Sequence, residues 1–277
     1  MISAGGQIVA NRRLAGDLWQ LILSVDKIPA IIQAGQYVHV ALGAAGGEHL
    51  LRRPFSVQAV LGSGSGPGSV SGAQPSQIVI TYQVVGSGTA LLTSCLVGDT
   101  LGVLGPLGQG WRLPSGGAGT GAVRRALLVG GGVGWAPLAM AAEQLLSRGI
   151  ETHSLVGARS RDYLEALGVA SLAEAGGLVA HYSTDDGSFG HHGFNVDLLD
   201  DLLDSAEFGY IAACGPEPMQ AKVALAAAER GIACEVSLER RMACGLGVCL
   251  SCTVQTRSGN RKACVDGPVF DAQEVIW

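Results

Sequence analysis

Residues 125–137 read Arg125-Ala126-Leu127-Leu128-Val129-Gly130-Gly131-Gly132-Val133-Gly134-Trp135-Ala136-Pro137. A short apolar strand, 125–129, breaks into glycines, and a segment of helical composition follows from 136 to 148. Gly149 stands where a helix C-cap belongs, and Pro137 falls in the first helical turn. Strand, glycine turn and helix make half of a parallel βαβ unit, and the chain repeats that rhythm up to residue 230. Runs at 152–157, 178–183 and 210–213 are predicted strands; 162–167, 195–203 and 216–230 are predicted helices. Residues 123–232 are therefore assigned to a parallel sheet covered on both faces.

Upstream the pattern is different. Short β-type runs at 8–10, 18–25, 37–42, 55–61, 78–85 and 100–104 are separated by turn residues, the spacing of a small β-barrel, so 1–113 is assigned to a barrel domain. Residues 62–77 are almost all Gly, Ser, Pro, Ala and Gln and read as a long flexible hairpin loop; 114–122 read as an interdomain linker. Residues 233–277 are left as a small cysteine-rich module. The fold class is thus a β-barrel domain plus an α/β parallel-sheet domain with a C-terminal module.

Composition narrows the function classes. The chain has 277 residues, 48% apolar and 15% charged, with 18 basic against 23 acidic side chains and a net charge of −5. No basic block is present, which argues against nucleic acid. No signal sequence opens the chain, and apolar runs stop short of the ~20 residues of a membrane span. Four of the seven cysteines crowd between 244 and 264, which fits a metal site in a reducing cytoplasm better than a disulfide framework.

Those four are Cys244, Cys249, Cys252 and Cys264, spaced C-x4-C-x2-C and then eleven residues to the last. This is the plant-type arrangement for a [2Fe–2S] cluster. Four thiolates must converge on two irons, so three come from one tight loop. Gly245 and Gly247 permit the dihedrals such a loop needs. Structural zinc is the alternative, although zinc sites favour paired C-x2-C spacings.

The glycine turn does not fit the strict G-x-G-x-x-G fingerprint, because position 135 is Trp, and no acidic residue follows at the usual distance. It reads better as G-x-G-x-A-P, from Gly132 and Gly134 to Pro137. In that form it resembles the pyridine-nucleotide domain of ferredoxin–NADP reductase-type flavoenzymes. Arg53-Pro54-Phe55-Ser56 is similar to their flavin motif, which implies that Arg53 faces the FAD pyrophosphate and Ser56 lies near flavin N5. Gly86-Ser87-Gly88-Thr89 resembles the second flavin segment, with Ser87 where the family often has lysine. Cys214-Gly215-Pro216-Glu217-Pro218-Met219 resembles the C-G-P-x-x-M whose cysteine lies near the nicotinamide.

The tail narrows the resemblance. Residues 238–245 (LERRMACG) and 264–270 (CVDGPVF), with 184–190 (TDDGSFG) and 105–108 (GPLG), are similar to one branch: electron-transfer subunits of heterotetrameric, NAD-dependent (class 1B) dihydroorotate dehydrogenases. The resemblance spans nearly the whole chain. It implies FAD, [2Fe–2S] and NAD(H), with Ser56 and Cys214 as the catalytic pair. It also implies a cytoplasmic α2β2 assembly with an FMN-containing catalytic subunit, which carries the dihydroorotate site on a barrel of ~250 residues. Small subunits of sulfide dehydrogenase and of NADH-dependent ferredoxin–NADP reductase are the related alternative. A zinc-binding module without flavin is the alternative of another class. Arg159, at the end of the second parallel strand, is open to a 2′-phosphate or to stacking on adenine. Asp185 and Asp186 are expected to shape a turn, Cys95 and Cys234 to be core, and Glu239, Arg240 and Arg241 to form a local ion pair or meet a partner.

Overall fold

The computed structural model describes residues 1–42, 51–62, 75–117 and 122–277. Its first layer holds β1 (Ile2–Ala15), β2 (Leu18–Val25), the single-turn α1 (Ile28–Ile31), β3 (Tyr37–Val40), β4 (Arg53–Ser56), β5 (Ala59–Gly62), β6 (Pro75–Gln83), α2 (Ser87–Thr93) and β7 (Thr100–Leu107). The strands form one antiparallel sheet in the order β4-β3-β7-β1-β2-β6-β5. Its two edges, β4 and β5, are joined by only Val57 and Gln58. A two-residue link can connect opposite edges only if the sheet curls round on itself, so the layer is an almost closed barrel. Val57 is fully buried at this seam, and the Gln58 amide donates to the Val79 carbonyl at 2.8 Å.

Two strands depart from the sequence pattern. β1 runs far beyond the expected 8–10 because its first half pairs with β7 and its second with β2. Gly5 and Gly6 hid that extension; a Cβ on Gly6 would lie 2.8 Å from the Val103 side chain. The run 55–61 is two strands rather than one, since the chain there changes from pairing with β3 to pairing with β6. β5 and β6 enter the stretch expected to be a loop, with Leu61 opposite Gln77 and Gly62 opposite Pro75. The rest of that loop, 63–74, lies outside the described residues, as do 118–121 of the expected linker. Residues 114–117 of that linker pack on the end of the first long helix, where the Arg148 guanidinium donates to the carbonyls of Leu113 and Pro114.

The second layer comprises β8 (Arg125–Gly131), α3 (Ala136–Ser147), β9 (Glu151–Ala158), α4 (Arg161–Ala166), α5 (Val169–Gly176), β10 (Val179–Thr184), β11 (His191–His192), α6 (Leu199–Ser205), β12 (Tyr210–Cys214), α7 (Glu217–Glu229), β13 (Ala233–Ser237), β14 (Thr253–Thr256), β15 (Gly259–Lys262) and β16 (Val269–Asp271). The large sheet has the order β11-β10-β9-β8-β12-β13-β16, parallel except for β16. Along β8, Ala126 and Leu128 join the core shared with α3 and the barrel, whereas Leu127 and Val129 join the core shared with α6, α7 and the cysteine module. Each such fully buried aliphatic side chain contributes about 1.5–3 kcal/mol, which is why β8 reads as a continuous apolar run. The parallel sheet continues through β13, past the 123–232 assigned to it. Residues 195–203 are a 3-10 turn, Asn195–Leu198, followed by α6. Among the described residues no helix is long and apolar enough to cross a membrane.

Candidate functional site

Strand order reverses between β8 and β12, the place where open α/β sheets bind ligands beyond their carboxyl ends. Gly131 and Gly134 from the end of β8 meet Cys214 and Gly215 from the end of β12 there. The approach is so close that only glycine fits. A Cβ on Gly134 would lie 2.4 Å from the Cys214 carbonyl oxygen, and one on Gly131 would lie 2.6 Å from the Pro216 ring. The turn enters α3 through a 3-10 segment, Gly132–Trp135. Trp135, the residue that breaks the standard fingerprint, is fully buried and packs over Gly130. Asn195 secures the end of β8 by donating from its amide to the Gly130 carbonyl at 3.0 Å.

Two cavities meet at this turn. A cleft of about 320 Å³ lies between barrel and sheet, and a groove of about 760 Å³ runs across the carboxyl ends of the strands. Val133, Gly134, Glu239 and Arg240 wall both. Of the residues singled out from sequence, Arg53, Pro54, Phe55, Ser56, Thr89, Gly134, Pro137 and Cys214 line the cleft. Gly132 lines the groove. Gly86 and Gly88 line neither. Gly86 is the exposed N-cap of α2, where the Thr89 hydroxyl accepts its N–H at 3.2 Å. Gly88 is buried beneath Arg53, and a Cβ there would meet Nε at 2.7 Å. The two flavin-like segments, more than thirty residues apart in sequence, therefore touch.

The Cys214 thiol is held neutral. Burial, followed by the nearby Glu239 carboxylate, pushes it up to about 12. Glu239 itself protrudes into the cleft and is accessible there, yet the surrounding walls desolvate it and raise its carboxyl above the ordinary range. Arg240 forms its ion pair with Glu217 on α7, Nη1 to Oε2 at 2.9 Å, and donates to its neighbour Glu239 only at the backbone carbonyl. Arg159 lines the groove but is engaged by Asp17 of the barrel at 3.4 Å and lies 5.2 Å from the centre of the Tyr163 ring. Asp186 does shape a turn, accepting from the Ser188 amide and hydroxyl. Cys234 is core, whereas Cys95 is only half-buried.

The four cysteines of the tail come together from the loop 244–252 and from Cys264 beyond β15. They meet as two pairs, Cys244 with Cys249 and Cys252 with Cys264. Among the described residues no three His, Cys, Asp or Glu side chains gather round a single-ion position. Two pairs of thiols suit two irons better than one tetrahedral zinc. The loop turns through positive φ at Gly245 (69°), Gly247 (78°) and Leu250 (60°). It sets polar groups against sulfur: the Leu246 N–H donates to Cys244 Sγ at 3.3 Å, and the Ser251 hydroxyl and the Cys249 thiol lie within hydrogen-bond distance, 3.2 Å. The Ser251 hydrogen bond is the largest effect lowering Cys249, to about 6, and neighbouring amides lower Cys244. Burial raises Cys264 to about 12. Thiols set among amide donors fit a group that needs thiolates.

The run 37–42 is a strand, as its pattern predicts, but nothing in the sequence singled out Tyr37 and His39 of β3, which face this loop. The Tyr37 ring lines the cleft, and its hydroxyl donates to the Cys264 carbonyl at 3.1 Å. His39 is fully buried, and its pKa is lowered to about 4, first by burial and then by Arg52. A histidine on an apolar strand gave no signal beyond its alternation with Tyr37.

Comparison with known proteins agrees with this geometry. The iron-sulfur cluster binding domain family of dihydroorotate dehydrogenase B matches residues 239–276. The electron transfer subunit of dihydroorotate dehydrogenase B (NAD(+)) from Bacillus caldolyticus is 38% identical over 283 residues, covering 100% of both chains. That from Streptococcus mutans is 32% identical, covering 97% of this chain and 96% of its own. Among solved structures, the NADH-dependent reduced ferredoxin-NADP oxidoreductase superposes with a TM-score of 0.82 at 31% identity, over 98% of this chain and 90% of that one. A ferredoxin NADP+ reductase from Neisseria gonorrhoeae shares the fold alone, with a TM-score of 0.59 at 16% identity over 83% and 92% of the two chains.

Proposed function

The chain belongs to the family of electron transfer subunits of dihydroorotate dehydrogenase B (NAD(+)), and from that premise we propose that it carries electrons from an FMN-containing catalytic subunit to NAD+. The observation that carries the reading is the continuity of three sites. The nucleotide groove shares Val133 and Gly134 with the cleft, and the cleft shares Tyr37 with the cysteine loop.

In this reading the cleft holds FAD, the groove holds NAD(H), and Cys244, Cys249, Cys252 and Cys264 hold a [2Fe–2S] cluster. When bound, the flavin supplies two-electron exchange with nicotinamide and one-electron exchange with the cluster. The protein positions and insulates. Arg53, set on Gly88, places a guanidinium for the flavin pyrophosphate. Phe55 and Pro54 exclude water, and Ser56 offers a hydroxyl near the reacting ring. The uncharged Cys214 thiol presents a small, polarizable surface to the nicotinamide. The glycines of 131–134 let the groove and the cleft approach across one peptide. Cluster module and sheet share β16, which we take to fix the distance between cluster and flavin.

The partner docks over the cluster. Cys249 is exposed, its loop also exposes Leu246, Val248 and Leu250, and Val265 lies against Gly247 of that loop; these four are 46%, 79%, 63% and 39% exposed. Such a patch, with Lys262 beside it, is an interface by its composition. We infer an α2β2 complex in the cytoplasm. The chain alone is expected to oxidise NADH with an artificial acceptor but not to oxidise dihydroorotate. Adding the catalytic subunit should link dihydroorotate to NAD+ reduction, and dihydroorotate turnover by the isolated chain would sink the reading. A second reading, a subunit of an NADH-dependent ferredoxin–NADP oxidoreductase, is favoured by the 0.82 superposition. Dihydroorotate-driven NAD+ reduction by the reconstituted complex separates the two.

A further inference from the structure

His39 is fully buried, yet among the described residues neither Nδ1 nor Nε2 has a hydrogen-bond partner. Buried polar groups are almost always paired, and an orphaned ring on a well-ordered strand marks a missing partner. The direction is informative. The atoms closest to the Cβ direction of Gly245 are His39 Cε1, Nδ1 and Nε2, at 2.7, 2.9 and 3.2 Å. The nitrogen-bearing edge of the ring is therefore pressed against the loop between Cys244 and Leu246. Gly245 accommodates it by having no side chain and a φ of 69°.

Among the described residues the neighbours offer no protein alternative. Tyr37 stands two residues away on the same face, its ring 5.6 Å from the imidazole, but its hydroxyl is committed to the Cys264 carbonyl. The positions opposite on the two flanking strands are Pro54, which has no N–H to give, and Leu104, whose side chain is apolar. A neutral imidazole carries one N–H donor, and the acceptors this loop is built to present are sulfurs.

We propose that His39 is a positioning residue which donates its ring N–H to a sulfur of the cluster held by the Cys244 loop, tying the flavin barrel to the cluster and raising the cluster's reduction potential. The inference rests on the reading that the four cysteines bind [2Fe–2S]. A donor to sulfur stabilises the more negative, reduced state, so removing it makes reduction harder.

The test is an EPR-monitored redox titration of the holo chain, with iron and sulfide quantified in each preparation. His39→Phe keeps a buried ring without a donor and should shift the one-electron equilibrium five- to tenfold toward the oxidised cluster. That corresponds to about 40–60 mV at 59 mV per tenfold. His39→Gln restores an N–H and should stay within threefold of the unaltered protein. An unchanged potential in His39→Phe, or equal shifts in both variants, overturns the inference. If His39→Phe does not retain its cluster, pulsed EPR of the reduced, unaltered protein carrying 15N-histidine decides instead. A coupling to a histidine nitrogen supports the bond, and coupling to backbone nitrogen alone refutes it. A preparation of the unaltered chain with flavin but no iron or sulfide overturns the underlying reading as well, and so is distinguishable from failure of His39 alone.

Discussion

Gly134 is where the nucleotide groove and the flavin cleft come within one residue of each other, and the closeness of that approach sets the cost of replacing it with alanine. The added methyl would lie 2.4 Å from the Cys214 carbonyl oxygen and 2.6 Å from its carbon, whereas ordinary contact begins at 3.4 Å. Both atoms are backbone of Cys214 at the end of the central strand β12, so the turn itself must retreat by about 1 Å. The backbone of Gly134 is not in the left-handed region, so this displacement is the whole of the effect. A misplacement of about 1 Å between reacting groups costs about a hundredfold in rate, or about 2.7 kcal/mol at 1.36 kcal/mol per tenfold. Steady-state NADH oxidation with ferricyanide, normalised to bound flavin, should show kcat/KM lowered by that factor. Gly149→Ala, at the C-terminal end of α3 and outside both cavities, is the matched control. Its φ is 72° but among the described residues nothing lies within 4 Å of the new methyl, so it should cost about 1 kcal/mol of stability and little activity. A Gly134→Ala protein with full flavin and kcat/KM within threefold of the parent would refute the reasoning.

Arg53→Ala removes a charged donor from the cleft and should weaken FAD retention about ten- to a hundredfold, since hydrogen bonds to charged groups contribute about 1.5–3 kcal/mol; equilibrium dialysis of flavin measures it. Cys252→Ser, at a residue 2% exposed, should abolish iron and sulfide content while NADH–ferricyanide activity persists, because the groove and the cleft do not depend on that thiol. Stability should also depend on pH. Burial pushes the Cys234 thiol up to about 12, well above the ordinary thiol range. A raised folded-state value means the protonated thiol is favoured in the native state. Its contribution is therefore complete below about pH 9 and is lost as pH rises toward 12. Each such thiol steepens the alkaline decline by about 1.4 kcal/mol per pH unit. Urea midpoints measured from pH 8 to 10.5 should fall less steeply in Cys234→Ala than in the parent, and parallel curves would contradict the assignment.

Periodicity and spacing in the chain determined a good deal. β8 was legible because it is buried on both faces and so reads as unbroken apolar sequence. The cysteine loop was legible because three thiols from one tight turn require short, fixed spacing. The flavin and nicotinamide motifs were legible as local strings, since each is a single strand or turn. What escaped was whatever depends on a partner distant in the chain. Glycines disguised the length of β1, and one apparent strand at 55–61 served two sheet edges. No local pattern showed that Gly88 must be glycine because Arg53 lies on it, that Arg240 answers Glu217, or that Arg159 is engaged by Asp17. The orphaned His39 is the plainest case. In sequence it is one polar residue in an apolar strand; only the packing of β3 against Gly245 shows that its nitrogens have nowhere to go except toward the cysteine loop. Local chemistry is written in neighbouring residues, whereas closeness across hundreds of residues is set by how the barrel and the sheet bury their faces together.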